Sequence, residues 1–267
     1  MKTRIITALV LVPLLVAVLL LGKTVLTVAV MVISLMGLFE FYKATGLSGK
    51  KFLCALGYLG AIAIPLLREF VNPSLYLPLG YAFMLLLFVC MLICHKNVSV
   101  TDAGMVVFSL IYIPFFLTQL IYIRGMGGGE FLIWIPFIGA FATDTFAYFA
   151  GVFLGRHKLC PEISPKKTIE GSMGGTVGVV LIMLLYGYIL NRSFGLEVNY
   201  VSLGILGALC AVISQIGDLT ASIIKRKYGI KDYGSLFPGH GGILDRLDSV
   251  IAVAPLVYIY LAVVGII

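Results

Sequence analysis

The chain has 267 residues, 61% of them hydrophobic and only 12% charged, with a formal net charge of +7. Soluble domains carry about 25% charged residues, so this composition, with a mean hydropathy of +1.10, excludes an ordinary soluble enzyme. The positive charge invites a nucleic-acid reading, but it sits in short segments between long apolar runs, which argues for a membrane and against nucleic acid. The expected class is an all-α polytopic membrane protein, because a helix satisfies its own backbone groups in lipid. The alternating pattern of an outer-membrane barrel is absent.

Nine apolar stretches approach the roughly 20 residues needed to cross the hydrocarbon core. They are Ile5–Leu21, Thr24–Tyr42, Phe52–Leu67, Leu75–Cys94, Val100–Ile123, Phe131–Leu154, Met173–Leu190, Val201–Ile224 and Ser249–Ile267. The third is short enough to be a tilted or partial span. With the N-terminus cytoplasmic and the C-terminus outside, all but four of the 19 Lys and Arg face the cytoplasm; the exceptions are Lys23, Arg68, Arg124 and Arg192. This asymmetry follows the positive-inside rule and places the polar loops on the cytoplasmic side; the expected setting is the inner membrane. The first stretch lacks a small-x-small cleavage site and reads as a retained helix. The five cysteines form no Cys-x-x-Cys pair and read as small buried hydrophobes.

Residues 1–128 read as scaffold helices. Glu40 lies beside Tyr42 and Lys43 near the end of the second stretch and reads as an interfacial acid that snorkels or pairs with Lys43. Asp102 opens the fifth, where a helix N-terminus favours negative charge. Residues 129–267 read as the catalytic part of one membrane-embedded unit, with cytoplasmic loops at 155–172 and 225–248.

Asp144 lies about ten residues, or roughly 15 Å, from the cytoplasmic end of the sixth stretch. An acid at that depth is costly and is a functional candidate by default; the alternative is a structural hydrogen bond to a neighbouring helix. The loop after it carries Ser164-Pro165-Lys166-Lys167-Thr168, two cations and a hydroxyl suited to phosphate, without a P-loop pattern. Gly171, Gly174, Gly175 and Gly178 then read as close helix packing.

Asp218, Ser222 and Lys225 follow at i, i+4 and i+7, one face of a helix. Arg226, Lys231 and a glycine-rich turn containing His240 lead to Asp245, Arg246 and Asp248. His240 reads equally as a base or phosphate donor and as a structural residue of the turn. Carboxylates with few other ligand types suit a hard cation such as Mg²⁺, which keeps waters for substrate phosphates. Lys and Arg suit the phosphates themselves. Asp218, Asp245 and Asp248, with Asp144 as a further candidate, supply enough oxygen for such an ion.

The run Ser222-x-Ile224-Lys225-Arg226, then Lys231-Asp232-x-Gly234, then Phe237-Pro238-x-His240-Gly241-Gly242-Ile243-x-Asp245-Arg246-Leu247-Asp248 resembles the C-terminal motif of phosphatidate cytidylyltransferases (CDP-diacylglycerol synthases). The Asp144 helix and Ser164-Pro165-Lys166-Lys167-Thr168-x-Glu170-Gly171 resemble that family too, as do the length and span count. The resemblance implies that CTP and phosphatidic acid give CDP-diacylglycerol and pyrophosphate with Mg²⁺. It also implies a homodimer, and leaves room for a second, monovalent cation. On this reading Asp218, Asp245, Asp248, Lys225 and His240 are catalytic. Lys166, Lys167, Thr168, Ser222, Arg226, Lys231, Asp144 and Arg246 bind substrate. CDP-alcohol phosphatidyltransferases fit less well, since Asp218 is followed by Leu219 and the last acids are spaced Asp245-x-x-Asp248. An ion-coupled transporter using Asp144 and Asp218 is the alternative; it explains the buried acids but not the histidine–glycine turn.

Overall fold

A computed structural model describes residues 2–236 and 241–266, with no side-chain description for 2–8, 68 and 69. His240 and its neighbours Phe237, Pro238 and Gly239 lie outside the described residues. The helices are α1 (Lys2–Leu20), α2 (Lys23–Thr45), α3 (Lys51–Phe70), α4 (Tyr76–Ile93), α5 (Val100–Leu110), α6 (Phe116–Arg124), α7 (Gly129–Leu132), α8 (Trp134–Leu154), α9 (Ile169–Phe194), α10 (Tyr200–Lys227) and α11 (Leu244–Val263). A π-helical turn, Ile111–Phe115, joins α5 to α6 around Pro114, where proline has no N–H to continue the α ladder. Two strands, β1 (Lys158–Cys160) and β2 (Ser164–Thr168), pair antiparallel.

Each expected apolar stretch is helical over most of its length. Among the described residues seven helical segments are long and apolar enough to cross a membrane, while Leu9–Leu20 and Lys51–Leu67 are shorter. Three boundaries differ from the sequence reading. The loop at 155–172 is a β-hairpin followed directly by α9. Helix α10 runs on to Lys227, so Lys225 and Arg226 are helical. Helix α11 begins at Leu244, so Asp245 and Asp248 both lie on it.

By packing, the chain divides into two compact units, residues 1–121 with 232–246, and residues 122–231 with 247–267. The division at 128 expected from sequence was functional, and the compact units depart from it at 232–246. A polar anchor lies within the first unit. Glu40 on α2 is buried and accepts hydrogen bonds from the backbone N–H groups of Ile243 and Leu244, both at 3.0 Å.

In the first unit α2 packs on α3, and α3 on α5. The core holds Leu38, Phe41, Tyr42, Leu53 and Val106, and the Tyr42 hydroxyl pairs with the Ser109 hydroxyl at 3.2 Å. Ser99 caps α5 in a reciprocal capping box with Asp102, and Lys50 forms an ion pair with the same carboxylate. The expected helix-terminal role of Asp102 is what the structure shows.

In the second unit α8, α9 and α10 pack on one another around Ala140, Val179, Met183, Leu206 and Cys210. The glycines of α9 permit this approach. A Cβ on Gly175 would stand 3.0 Å from both the Ala147 Cβ and the Thr143 carbonyl oxygen, closer than side chains tolerate without displacement. At the far end of α10, Asn199 caps the helix by accepting from the Ser202 N–H at 3.0 Å. The Tyr260 hydroxyl of α11 donates to the Ser202 carbonyl at 3.0 Å.

Candidate active site

Helix α10 presents Asp218, Ser222 and Lys225 along one face, as their spacing requires. The Ser222 hydroxyl lies 3.5 Å from one oxygen of Asp218. The other oxygen is 2.6 Å from the Lys167 ammonium, which β2 carries in. From α8, Asp144 accepts a hydrogen bond from the Ser249 hydroxyl at 3.2 Å. From α11, Asp248 accepts from the Ser249 N–H at 2.8 Å. Asp248 is 8% exposed and lies within electrostatic reach of Asp218, Lys225 and Asp144; Asp144 in turn feels Asp218 and Lys167. Lys225 is also only 8% exposed.

Thus Asp144, Lys167, Asp218, Ser222, Lys225 and Asp248 meet within one compact unit, drawn from three helices and a strand. Buried charges persist when they are paired, and here each acid has a cation or a donor. Gly217 sets the spacing of α10 and α11. A Cβ there would meet the Ala252 Cβ at 2.5 Å and the Asp248 carbonyl oxygen at 2.9 Å. The residue beside Asp218 must therefore be glycine if Asp248 is to come this close.

The hairpin delivers Lys167 and leaves Lys166 exposed. Thr168, expected to offer its hydroxyl to phosphate, caps α9, accepting from the Gly171 N–H at 3.1 Å. Glu170 ties the start of the hairpin down by accepting from the backbone N–H groups of Arg156, at 3.1 Å, and His157, and by pairing with the His157 Nδ1 at 2.7 Å.

In the other unit, Asp245 is 9% exposed and one of its oxygens accepts from the N–H groups of Tyr233, at 2.8 Å, and Gly242, at 3.0 Å. Arg226, Lys231 and Arg246 are exposed, and Arg226 donates to the Ile230 carbonyl at 3.1 Å. Among the described residues no three His, Cys, Asp or Glu side chains stand close enough together to hold one metal ion. Lys167 takes one oxygen of Asp218, and a backbone N–H is already bound to Asp248.

Two residues escaped the sequence reading. Ser249, taken only as the first residue of a span, links the helix of Asp248 to Asp144. Glu40, taken as an interfacial acid beside Lys43, is an internal acceptor. A buried acid flanked by apolar residues on both sides was the available signal for Glu40; nothing but adjacency to Asp248 marked Ser249.

Comparison with known proteins places the chain in a family. Residues 2–264 match the family described as the cytidylyltransferase family. A phosphatidate cytidylyltransferase of Bacillus subtilis is 32% identical over 273 residues, covering 98% of each chain. One of Rickettsia bellii is 37% identical over 200 residues, covering 73% of this chain and 86% of its own. One of Thermotoga maritima is 40% identical over 174 residues, 63% of each chain. With a family match over nearly its whole length and relatives of this similarity, the chain belongs to the cytidylyltransferase family.

Proposed function

We propose that this nucleotidyltransferase converts CTP and phosphatidic acid to CDP-diacylglycerol and pyrophosphate, in phospholipid synthesis. The observation that carries the reading is the family match across residues 2–264, joined to relatives named phosphatidate cytidylyltransferase. The acid–ammonium cluster supports it, because phosphoryl-group chemistry is chiefly positioning and charge neutralisation. The relatives' names favour group transfer over ion-coupled transport.

In the proposed reaction a phosphate oxygen of phosphatidic acid attacks the α-phosphorus of CTP. The bond to the bridging oxygen breaks and pyrophosphate leaves with the bond's electron pair. Lys167 and Lys225 hold phosphate oxygens, with Lys166, Arg226, Lys231 and Arg246 gathering the polyphosphate from solvent. Lys167 is then exchanged from Asp218 to substrate. Ser222 orients Asp218 and, with Thr168, lines the approach. His240 retains its proposed role in proton or phosphate handling.

Family membership suggests a divalent-metal requirement in general, and Mg²⁺ is our specific assignment. The donor set fits a hard cation. Three carboxylates that act on one another, Asp144, Asp218 and Asp248, stand with two ammonium groups, Lys167 and Lys225, among the described residues. Carboxylate oxygen is what Mg²⁺ prefers. Because no three of these acids stand close enough together among the described residues to share one ion, Asp218, Asp248 and Asp144 would hold it no more than two at a time, with water and substrate phosphate completing its shell. Asp245 is proposed as a further acid of the same chemistry. Bound there, the ion would neutralise charge on phosphate oxygens.

The proposed setting is the inner membrane, with nine spans, a cytoplasmic N-terminus and reaction site, and the C-terminus outside. A homodimer and an auxiliary monovalent cation complete the proposal. The test is turnover by purified protein in mixed micelles with phosphatidic acid, labelled CTP and Mg²⁺, beside an EDTA control. Metal-dependent formation of a labelled, solvent-extractable lipid together with pyrophosphate is expected. A monodisperse preparation yielding neither would sink the reading.

A further inference from the structure

The mechanism leaves one buried acid unused. Glu40 is 6% exposed, on a mostly apolar helix and between Phe39 and Phe41, and its two oxygens are divided between two consecutive backbone donors. Oε1 accepts from the Ile243 N–H and Oε2 from the Leu244 N–H, each at 3.0 Å. These are donors at the first turn of α11, which have no partner within the helix. The chain is shaped to admit the carboxylate. A Cβ on Gly242 or on Gly234 would overlap it, so glycine on both limbs of the returning segment lets backbone close around one side chain. The residue after Leu244 is Asp245, whose own oxygen binds the N–H groups of Gly242 and Tyr233.

We propose that Glu40 is a positioning residue for the reaction: it clasps the start of α11 and thereby fixes where Asp245 points. The role rests on the reading of Asp245 as an acid of the cytidylyl-transfer chemistry. Glu40 touches no reacting group. It acts by holding two N–H groups at a set place, 203 and 204 residues away along the chain. A neutral residue of the same shape cannot do this. In Glu40→Gln one oxygen becomes an NH₂ group facing an N–H donor, so one hydrogen bond is lost and two donors oppose each other.

The test uses the full chain in detergent micelles, comparing wild type with Glu40→Gln and reading backbone amide exchange and turnover on the same preparations. Hydrogen bonds to charged groups are strong enough that losing one should raise exchange in peptides spanning Ile243 and Leu244 about tenfold. If the clasp positions Asp245, kcat should also fall about tenfold while KM for phosphatidic acid moves less than about twofold, the pattern of an interaction felt in the transition state. A second variant, Gly242→Ala, pushes a methyl group against the same carboxylate and should reproduce both effects, which covers the case in which Glu40→Gln fails to fold. Unchanged exchange would overturn the clasp. Raised exchange with unchanged kcat would reduce Glu40 to a structural anchor and overturn the positioning role. A wild type with no turnover would overturn the cytidylyl-transfer reading and the catalytic half of this proposal with it, while the exchange measurement still decides the clasp.

Discussion

Asp218 in the second unit and Asp245 and Glu40 in the first are held by different kinds of partner. In the second unit Asp218 is met by an ammonium group, Lys167, at 2.6 Å and by a serine hydroxyl at 3.5 Å. In the first unit Asp245 and Glu40 are met by main-chain N–H groups at 2.8–3.0 Å. A side-chain cation on a flexible stem can leave its acid for a phosphate and return. A backbone donor cannot leave without moving the chain. The first arrangement suits a group that must exchange partners during a reaction, and the second suits one that must hold a loop still. Both acids at 218 and 245 are metal candidates by sequence, so their environments separate what their identities do not.

The sharpest way to break this comparison is to remove the acids one at a time. Asp218→Asn should lower kcat about 10³-fold, the scale of losing a principal electrostatic stabiliser. Its thermal midpoint should stay near that of wild type, because an ion pair with a partly exposed lysine contributes little to stability. Asp245→Ala should lower activity and also the midpoint, since two buried N–H groups lose their acceptor at a cost of about 1–3 kcal/mol each. Turnover per folded molecule and thermal melts in the same micelles would check both. Equal loss of stability in the two variants would erase the distinction.

A second variant sharpens the comparison without touching a carboxylate. Gly217→Ala places a methyl group 2.5 Å from the Ala252 Cβ, and must push α10 away from α11. A displacement of about 1 Å near reacting groups is worth about 10²-fold in rate. We expect a kcat loss of that order, measured in the same turnover assay, with Lys167 and Asp218 both still present. Near-normal turnover would mean that the approach of Asp248 to Asp218 does not matter to the chemistry.

Parts of this arrangement were legible in the sequence because helical geometry converts spacing into direction. Asp218, Ser222 and Lys225 share a face by arithmetic alone, and the glycines of α9 announced close packing in the same way. What crosses between elements was not legible. Ser249 reaches Asp144 across 105 residues, and Glu40 reaches Ile243 across 203. No periodicity encodes such a pairing in a single sequence. Glu40 was misread because the lysine three residues away offered a simpler partner. The hairpin was missed because its strands are only 3 and 5 residues long and β2 contains Pro165 and two lysines, which depress any strand signal. Thr168 was read only for the hydroxyl it offers to phosphate, and its part in starting α9 went unread for a related reason. A threonine before a glycine-rich helix is also an N-cap, and the cap is what the fold uses.

The smallest expected effect tests whether acids in the first unit are structural even outside the motif. Asp102 and Ser99 satisfy each other's backbone at the start of α5: the Ser99 N–H donates to Asp102 at 2.7 Å, and the Asp102 N–H donates to the Ser99 hydroxyl at 3.3 Å. Lys50 adds an ion pair on the same carboxylate. Ser99→Ala removes one side of this box and should cost about 1 kcal/mol, seen as a midpoint a few degrees lower. Turnover per folded molecule should be unchanged, because α5 carries none of the acids or ammonium groups assigned to the reaction. A rate loss approaching that of Gly217→Ala would show that the first unit is coupled to the chemistry through its helix ends as well as through residues 232–246, and the contrast between fixed and exchangeable carboxylates would then no longer separate structure from function.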